Sequence, residues 1–190
     1  MKVWKFESKL DAGFESIHTV NFDEFHGKYF DIFNQPIPIA DGWENLEVYT
    51  LTEGYKSDFP HFWGESFVPV FSEKALNVVH DLIENQVEIL PLSHPEHKYF
   101  VIHVLNVIDA IDFDKSLPKR ILKSGRKSGF KKYSFVPEKI IGQQMFKVYY
   151  DDGRVHSQFF VSDGFKDRVT SSSLVGYEFI EVWDSEKADS

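Results

Sequence analysis

The chain has 190 residues, a formal net charge of −9, 42% hydrophobic residues, 16% aromatics and no cysteine. That length supports one buried core, and the apolar content excludes a disordered chain. The missing cysteines exclude disulfides, thiol nucleophiles and thiolate metal sites, and no uncharged apolar run reaches the roughly 18 residues of a transmembrane helix.

The opening MKVWKFESKL lacks the apolar core of a secretory signal, so a cytoplasmic protein is expected. Trp4 and Phe6 predict a short first strand. Phe14 to Phe33 is aromatic without a clean period, and Asn34-Gln35-Pro36 with Pro38 reads as a loop. Leu46, Val48, Tyr49 and Leu51 predict a strand ended by Gly54, and Phe59 to Gly64 an aromatic connector. Phe67 to Ser72 reads as a strand whose serine caps a helix, with Glu73 at its positive end. Ala75, Leu76, Val78, Val79, Leu82 and Ile83 give that helix one apolar face.

Val87 to Leu92 reads as a strand and His94-Pro95-Glu96-His97 as its turn. Tyr99 to Ile108, the longest near-continuous apolar run, returns as an antiparallel strand covered on both faces. His103 and Asn106 interrupt it and are expected as satisfied core polar groups. Beyond the run come Asp109, Asp112, Asp114 and Ser116. Further strands are predicted over Tyr133 to Ile141 and Gln144 to Tyr150, with Gly142 between them. Asp152-Gly153 is a two-residue hairpin signal leading into Val155 to Val161. Ser162 and Asp163 repeat the serine-acid helix start, followed by a last strand over Tyr177 to Trp183. Such a start is common, so its recurrence does not establish a repeat.

The expected fold is α+β: a mainly antiparallel β-sheet with two or three helices packed against it. It forms a single domain with an irregular N-terminal part. Its expected divisions are an N-terminal segment with short strands over 1–58, the main α+β domain over 59–183, and a frayed polar tail over 184–190.

Charge is uneven. Residues 117–132 carry seven Lys or Arg and no acid, which leaves −16 on the remainder. An acidic body repels nucleic acid and attracts basic partners.

The landmarks, in order, are Phe71-Ser72-Glu73-Lys74 with Leu76, Ile89-Leu90-Pro91, Tyr99, and Val104-Leu105-Asn106-Val107 running into Asp109-Ala110-Ile111-Asp112 and Ser116. They continue through Gly142, Met145-Phe146-Lys147, Val161-Ser162-Asp163 with Phe165-Lys166, and Leu174 to Phe179. In this order and spacing they resemble immunity protein family eleven of bacterial polymorphic-toxin systems, over roughly 59–183. The resemblance implies a small cytoplasmic, non-catalytic protein that binds and blocks a cognate toxin. It supplies no toxin-contact residue, and contact surfaces should be the divergent part of such a family.

Searches for chemistry give plainer readings. Asp109, Asp112, Asp114 and Ser116 lack the sixth-position Gly and closing Glu of a Ca²⁺ loop. They are read as caps on the strand exit, compatible with an acidic face for a basic partner. His94, His97 and His103 show no converging zinc spacing. No Gly-x-Ser-x-Gly elbow and no Gly-rich phosphate loop occurs, so no metal, cofactor or catalytic residue is expected.

The first functional reading is a toxin-binding immunity protein using Asp109, Asp112, Asp114, Asp41, Glu44 and Glu53. The alternative is a nucleic-acid or phospho-ligand binder acting through residues 119–132, chiefly Lys123, Arg126 and Lys127. The plain reading of that stretch is a mobile solvated loop with a face of one charge. A hydrolase of unrecognised type remains a third reading, since paired carboxylates leave little local signature.

Overall fold

The computed structural model describes residues 1–10, 13–64 and 67–187. The chain begins with β1 (Lys2–Ser8), β2 (Ser16–Thr19), α1 (Phe22–Phe33), β3 (Leu46–Thr52) and β4 (His61–Phe62). It continues with β5 (Val70–Ser72), α2 (Glu73–Ile83), β6 (Val87–Ser93), β7 (Lys98–Val104) and β8 (Val107–Ile108). The last part holds β9 (Leu117–Ile121), β10 (Lys127–Lys132), α3 (Pro137–Ile140), β11 (Met145–Val148), β12 (Phe160–Ser162), α4 (Asp163–Thr170) and β13 (Tyr177–Asp184).

Two sheets carry the fold. One has six strands in the order β4-β2-β3-β6-β7-β5, the other five in the order β13-β1-β12-β11-β8. Most pairings are antiparallel; β2 with β4, β3 with β6 and β8 with β11 are parallel. The architecture is the expected α+β type.

Alternation along the strands places three cores between these layers. Tyr99 and Val101 of β7 face α1, where they meet Phe25, Tyr29 and Phe33. Ile102 and Val104 point the other way, into a core shared by α2, α4 and the five-stranded sheet. The far side of the five-stranded sheet holds a third core, with Val3, Phe146, Phe160 and Phe130. β7 is therefore buried on both faces, as its composition predicts.

The two serine caps are present. Ser72 accepts from the Ala75 amide at 3.0 Å and Ser162 from the Phe165 amide at 3.1 Å. The helices they start pack side by side, and Arg168 on α4 grips Asp81 on α2 through two hydrogen bonds.

Several local expectations are corrected. The apolar run is not one strand to Ile108: it leaves the six-stranded sheet after Val104 and joins the five-stranded sheet as β8. The amides of Leu105 and Asn106 both donate to the Gln86 carbonyl, and the Asn106 side chain donates to the Met145 carbonyl, so the kink is held from both sides. Tyr133 to Ile141 is not a strand; Pro137 opens the one-turn helix α3, a first-turn position where its missing N–H costs nothing. Val155 to Val161 shrinks to a bridge between Tyr149 and Val155 plus β12, while Gly153, at φ +78°, makes the expected turn. Residues 119–132 are not a loop. They lie within the antiparallel hairpin β9–β10, turned at Gly125 with φ +80°.

One N-terminal element comes from sequence with no clear period. α1 carries two parallel stripes, buried Phe25, Tyr29 and Phe33 beside half-buried Phe22, His26 and Phe30. Its Asn21 makes no side-chain cap. Of the polar tail, residues 188–190 lie outside the described residues; Asp184 belongs to β13 and accepts the Glu186 amide.

Candidate functional site

The acidic exit after β8 is held by its own chain. The Asp112 carboxylate accepts the amides of Asp114 and Lys115 at 3.1 and 3.2 Å, forming a turn. The Ser116 hydroxyl exchanges hydrogen bonds with the Ser134 backbone, tying that turn to the end of β10. Asp109 pairs with Lys139 at 3.0 Å, an exposed pair of modest strength. Asp114 is exposed. Asp112 and Ser116 shape the strand exit as the capping reading requires, while Asp109 and Asp114 make no such bond with the described residues and reach solvent.

The other three acids lie on a different layer. Asp41 and Glu44 flank α1 near Lys28, and Glu44 pairs with Lys28 at 2.7 Å. Glu53 follows β3 at its far end, beside Glu15, Thr50 and His94. The six acids do not gather into one patch.

In the basic hairpin, Lys127 pairs with Asp151 and Arg126 approaches Asp152 at 3.9 Å, while Lys123 sits exposed at the turn. Phe130 pins the hairpin to the third core, stacked on Tyr150 and His156.

His94 and His97 stack face to face with ring centres 5.1 Å apart. Burial and the neighbouring His97 lower the His94 pKa. His103 is buried, with Nε2 3.0 Å from the Ile37 carbonyl. Among the described residues no three His, Cys, Asp or Glu side chains converge to hold a metal. No described helix is long and apolar enough to cross a membrane.

Buried ionisable groups that pattern reading missed act as ties. Glu15 accepts a 2.6 Å bond from the Tyr99 hydroxyl and the Ser57 amide. Asp58 accepts the Ser72 hydroxyl and the Val175 amide. Lys147 lies inside β11 with its ammonium on the Phe33 carbonyl. Only Lys147 had a visible signal, a lysine within Met-Phe-Lys-Val. Each of these groups is spent on internal hydrogen bonds.

One exposed surface stands apart. His18 and Val20 on or just after β2, with Glu47, Tyr49 and Leu51 on β3, alternate outward from the side of the sheet covered by α1. Val20 is 53% exposed, Tyr49 40% and Leu51 45%. Beside this face, between α1 and the start of β3, lies a cleft of about 270 Å³ lined by Thr19, Glu24, Lys28, Tyr29, Glu44 and Glu47.

The model for the immunity protein family designated Imm11 matches residues 87–184, just over half of the chain. The chain belongs to this immunity protein family. Comparison with curated proteins returns no match.

The Imm11 segment starts at β6 and ends with β13, leaving β1 to β5, α1 and α2 outside. Its charge is nearly balanced, thirteen acids against fourteen Lys or Arg. Residues 1–86 hold fifteen acids against six Lys or Arg, a net −9 equal to that of the whole chain. Family membership implies a toxin-neutralising role in general terms.

Proposed function

We propose that this chain binds a cognate toxin and neutralises it by covering its working surface, with no chemistry of its own. Supporting this is the family membership. The observation that carries it is the placement of charge: the excess of acid lies in the part of the chain outside the family match. A surface that must suit one toxin and reject others is the part a family model should not capture.

Occlusion of this kind uses an interface of about 1,200–2,000 Å² in total. An acidic surface speeds encounter with a basic partner, and that steering weakens as salt rises. In this reading Asp41, Glu44 and Glu53 face the toxin from the N-terminal part, and Asp109, Asp112 and Asp114 form a second acidic stretch. The protein works in the cytoplasm, where the toxin would act.

The test is co-expression with the polypeptide encoded immediately beside this chain. Growth arrest by the neighbour alone and restored growth with both proteins is the expected result. A neighbour that is harmless, or equally toxic with this protein present, overturns the proposal.

A further inference from the structure

The cleft between α1 and β3 has a feature its acids alone would not give it. Two buried hydroxyls belong to its lining residues, Thr19 Oγ1 and Tyr29 Oη, on residues 97% removed from solvent; Thr19 Oγ1 makes no hydrogen bond, and the cation beside Tyr29 Oη is the Lys28 ammonium, which is not in close hydrogen-bonding contact with it. Buried polar atoms in folded proteins are nearly always paired, so an unpaired one in the cleft wall needs a cause. Two acidic residues, Glu24 and Glu44, line the same space, and Glu47 borders it from the outward sheet face.

Lys28 shows how this environment treats a cation. Its ammonium pairs with Glu44 and lies 5.2 Å from the Tyr29 ring centre. Glu44 first, then Tyr29, raise the Lys28 pKa above the ordinary lysine range. The cleft thus already favours positive charge at its mouth, while Thr19 Oγ1 has no partner.

We propose that this cleft receives an arginine side chain of the partner protein, resting on the toxin-binding reading above. At about 270 Å³ the space falls just below the usual range of small-molecule sites, roughly 300–1,000 Å³, and suits one long side chain. Its acceptors are several and spread: two neutral hydroxyls inside, carboxylates around them. A guanidinium offers five N–H donors in a planar fork and meets such a set better than a compact ammonium does. The exposed Val20, which lines the cleft, adds apolar contact at its edge. The 1–86 charge excess supplies the complementarity for a basic partner.

The first experiment needs no toxin. Ethylguanidinium chloride is titrated into the ¹⁵N-labelled full chain at constant ionic strength. Saturable amide shifts at Thr19, Glu24, Tyr29 and Glu47 are expected, with weaker ones for n-propylammonium. Tyr29→Phe with Thr19→Val, which removes the two hydroxyls and no core packing, should weaken binding at least threefold and leave the folded spectrum intact. Shifts no larger than those from tetramethylammonium chloride, or equal shifts at Asp109 to Asp114, overturn the cleft.

The second experiment is the co-expression assay with Glu24→Lys and Glu47→Lys combined. Protection by the native chain that is lost in this variant supports the anchor. Protection equal in both refutes the anchor and leaves the toxin-binding role standing. If the native chain itself gives no protection, the role fails, and the guanidinium titration still decides the cleft.

Discussion

The Lys147 ammonium donates a 2.6 Å hydrogen bond to the carbonyl of Phe33, the last residue of α1. This bond joins the family-matched segment to a helix outside it, at the end where helix carbonyls lack partners and favour a cation. Burial nevertheless lowers the Lys147 pKa to about 8. A lysine with a depressed folded pKa holds fewer protons folded than unfolded between pH 8 and its ordinary value of 10.5. Stability therefore rises with pH across that window. Urea unfolding of the native chain and Lys147→Met at pH 7.5, 8.5 and 9.5 checks this. The stability difference should move in favour of the native chain by up to about 1.4 kcal/mol per pH unit. A difference flat in pH would mean the lysine is not buried as a cation.

His156 gives the opposite limb. It is buried, Nδ1 accepts the Gln158 amide, and Nε2 lies 3.3 Å from the Tyr133 hydroxyl. Burial first, then Lys5, lowers its pKa to about 4. The unfolded chain takes up a proton below about 6.5 that the folded chain refuses. Stability is then lost as pH falls from 6.5 toward 4, by about 2 kcal/mol at pH 5. His156→Gln should lose markedly less between pH 7 and pH 5 in the same urea measurement. Equal losses in the two proteins would assign the acid sensitivity elsewhere.

The matched segment should not fold alone. β1 lies between β12 and β13, so residues 87–184 without it would leave a gap in their own sheet. Asp163 adds two 2.8 Å bonds, from the Lys2 amide and the Trp4 indole, fastening that strand to the start of α4. A fragment spanning 87–184 is expected to give a poorly dispersed amide spectrum and no cooperative thermal transition. Cooperative unfolding of the fragment would show that β1 is dispensable.

What the sequence disclosed depended on how local each cause was. Ser72 and Ser162 were legible as caps because the bond each makes lies three residues away. β6 and β7 were legible because a short turn joins two apolar runs. The break after Val104 was not: it depends on Gln86 and Met145, distant in sequence. α1 was hidden by its second aromatic stripe, which blurs the one-sided period a buried helix shows. The hairpin β9–β10 was hidden by its lysines and arginines, with Phe130 its one buried apolar residue. For the cleft, Glu44 was visible as an acid, but the buried hydroxyls of Thr19 and Tyr29 come together only when β2 and α1 meet.

The two capping serines differ in what stands behind them, and that predicts unequal costs. Ser162 accepts the Phe165 amide and donates to Gln144, a half-buried side chain that water can reach when the hydroxyl is gone. Ser162→Ala should cost about 1 kcal/mol, the usual value of a cap. Ser72 accepts the Ala75 amide and also donates to Asp58 at 2.9 Å. Asp58 is itself buried and receives the Val175 amide at 3.0 Å, so it links the start of α2 to the loop before β13. Ser72→Ala removes the cap and leaves a buried carboxylate short of a donor, raising the expected cost to about 2–3 kcal/mol. Urea unfolding of both variants reads the difference. A double-mutant cycle with Asp58→Asn assigns it: coupling between positions 72 and 58 of at least about 0.5 kcal/mol is expected for groups in one hydrogen-bond network. Additive losses would locate the whole effect in the helix cap and none in the tie to Asp58.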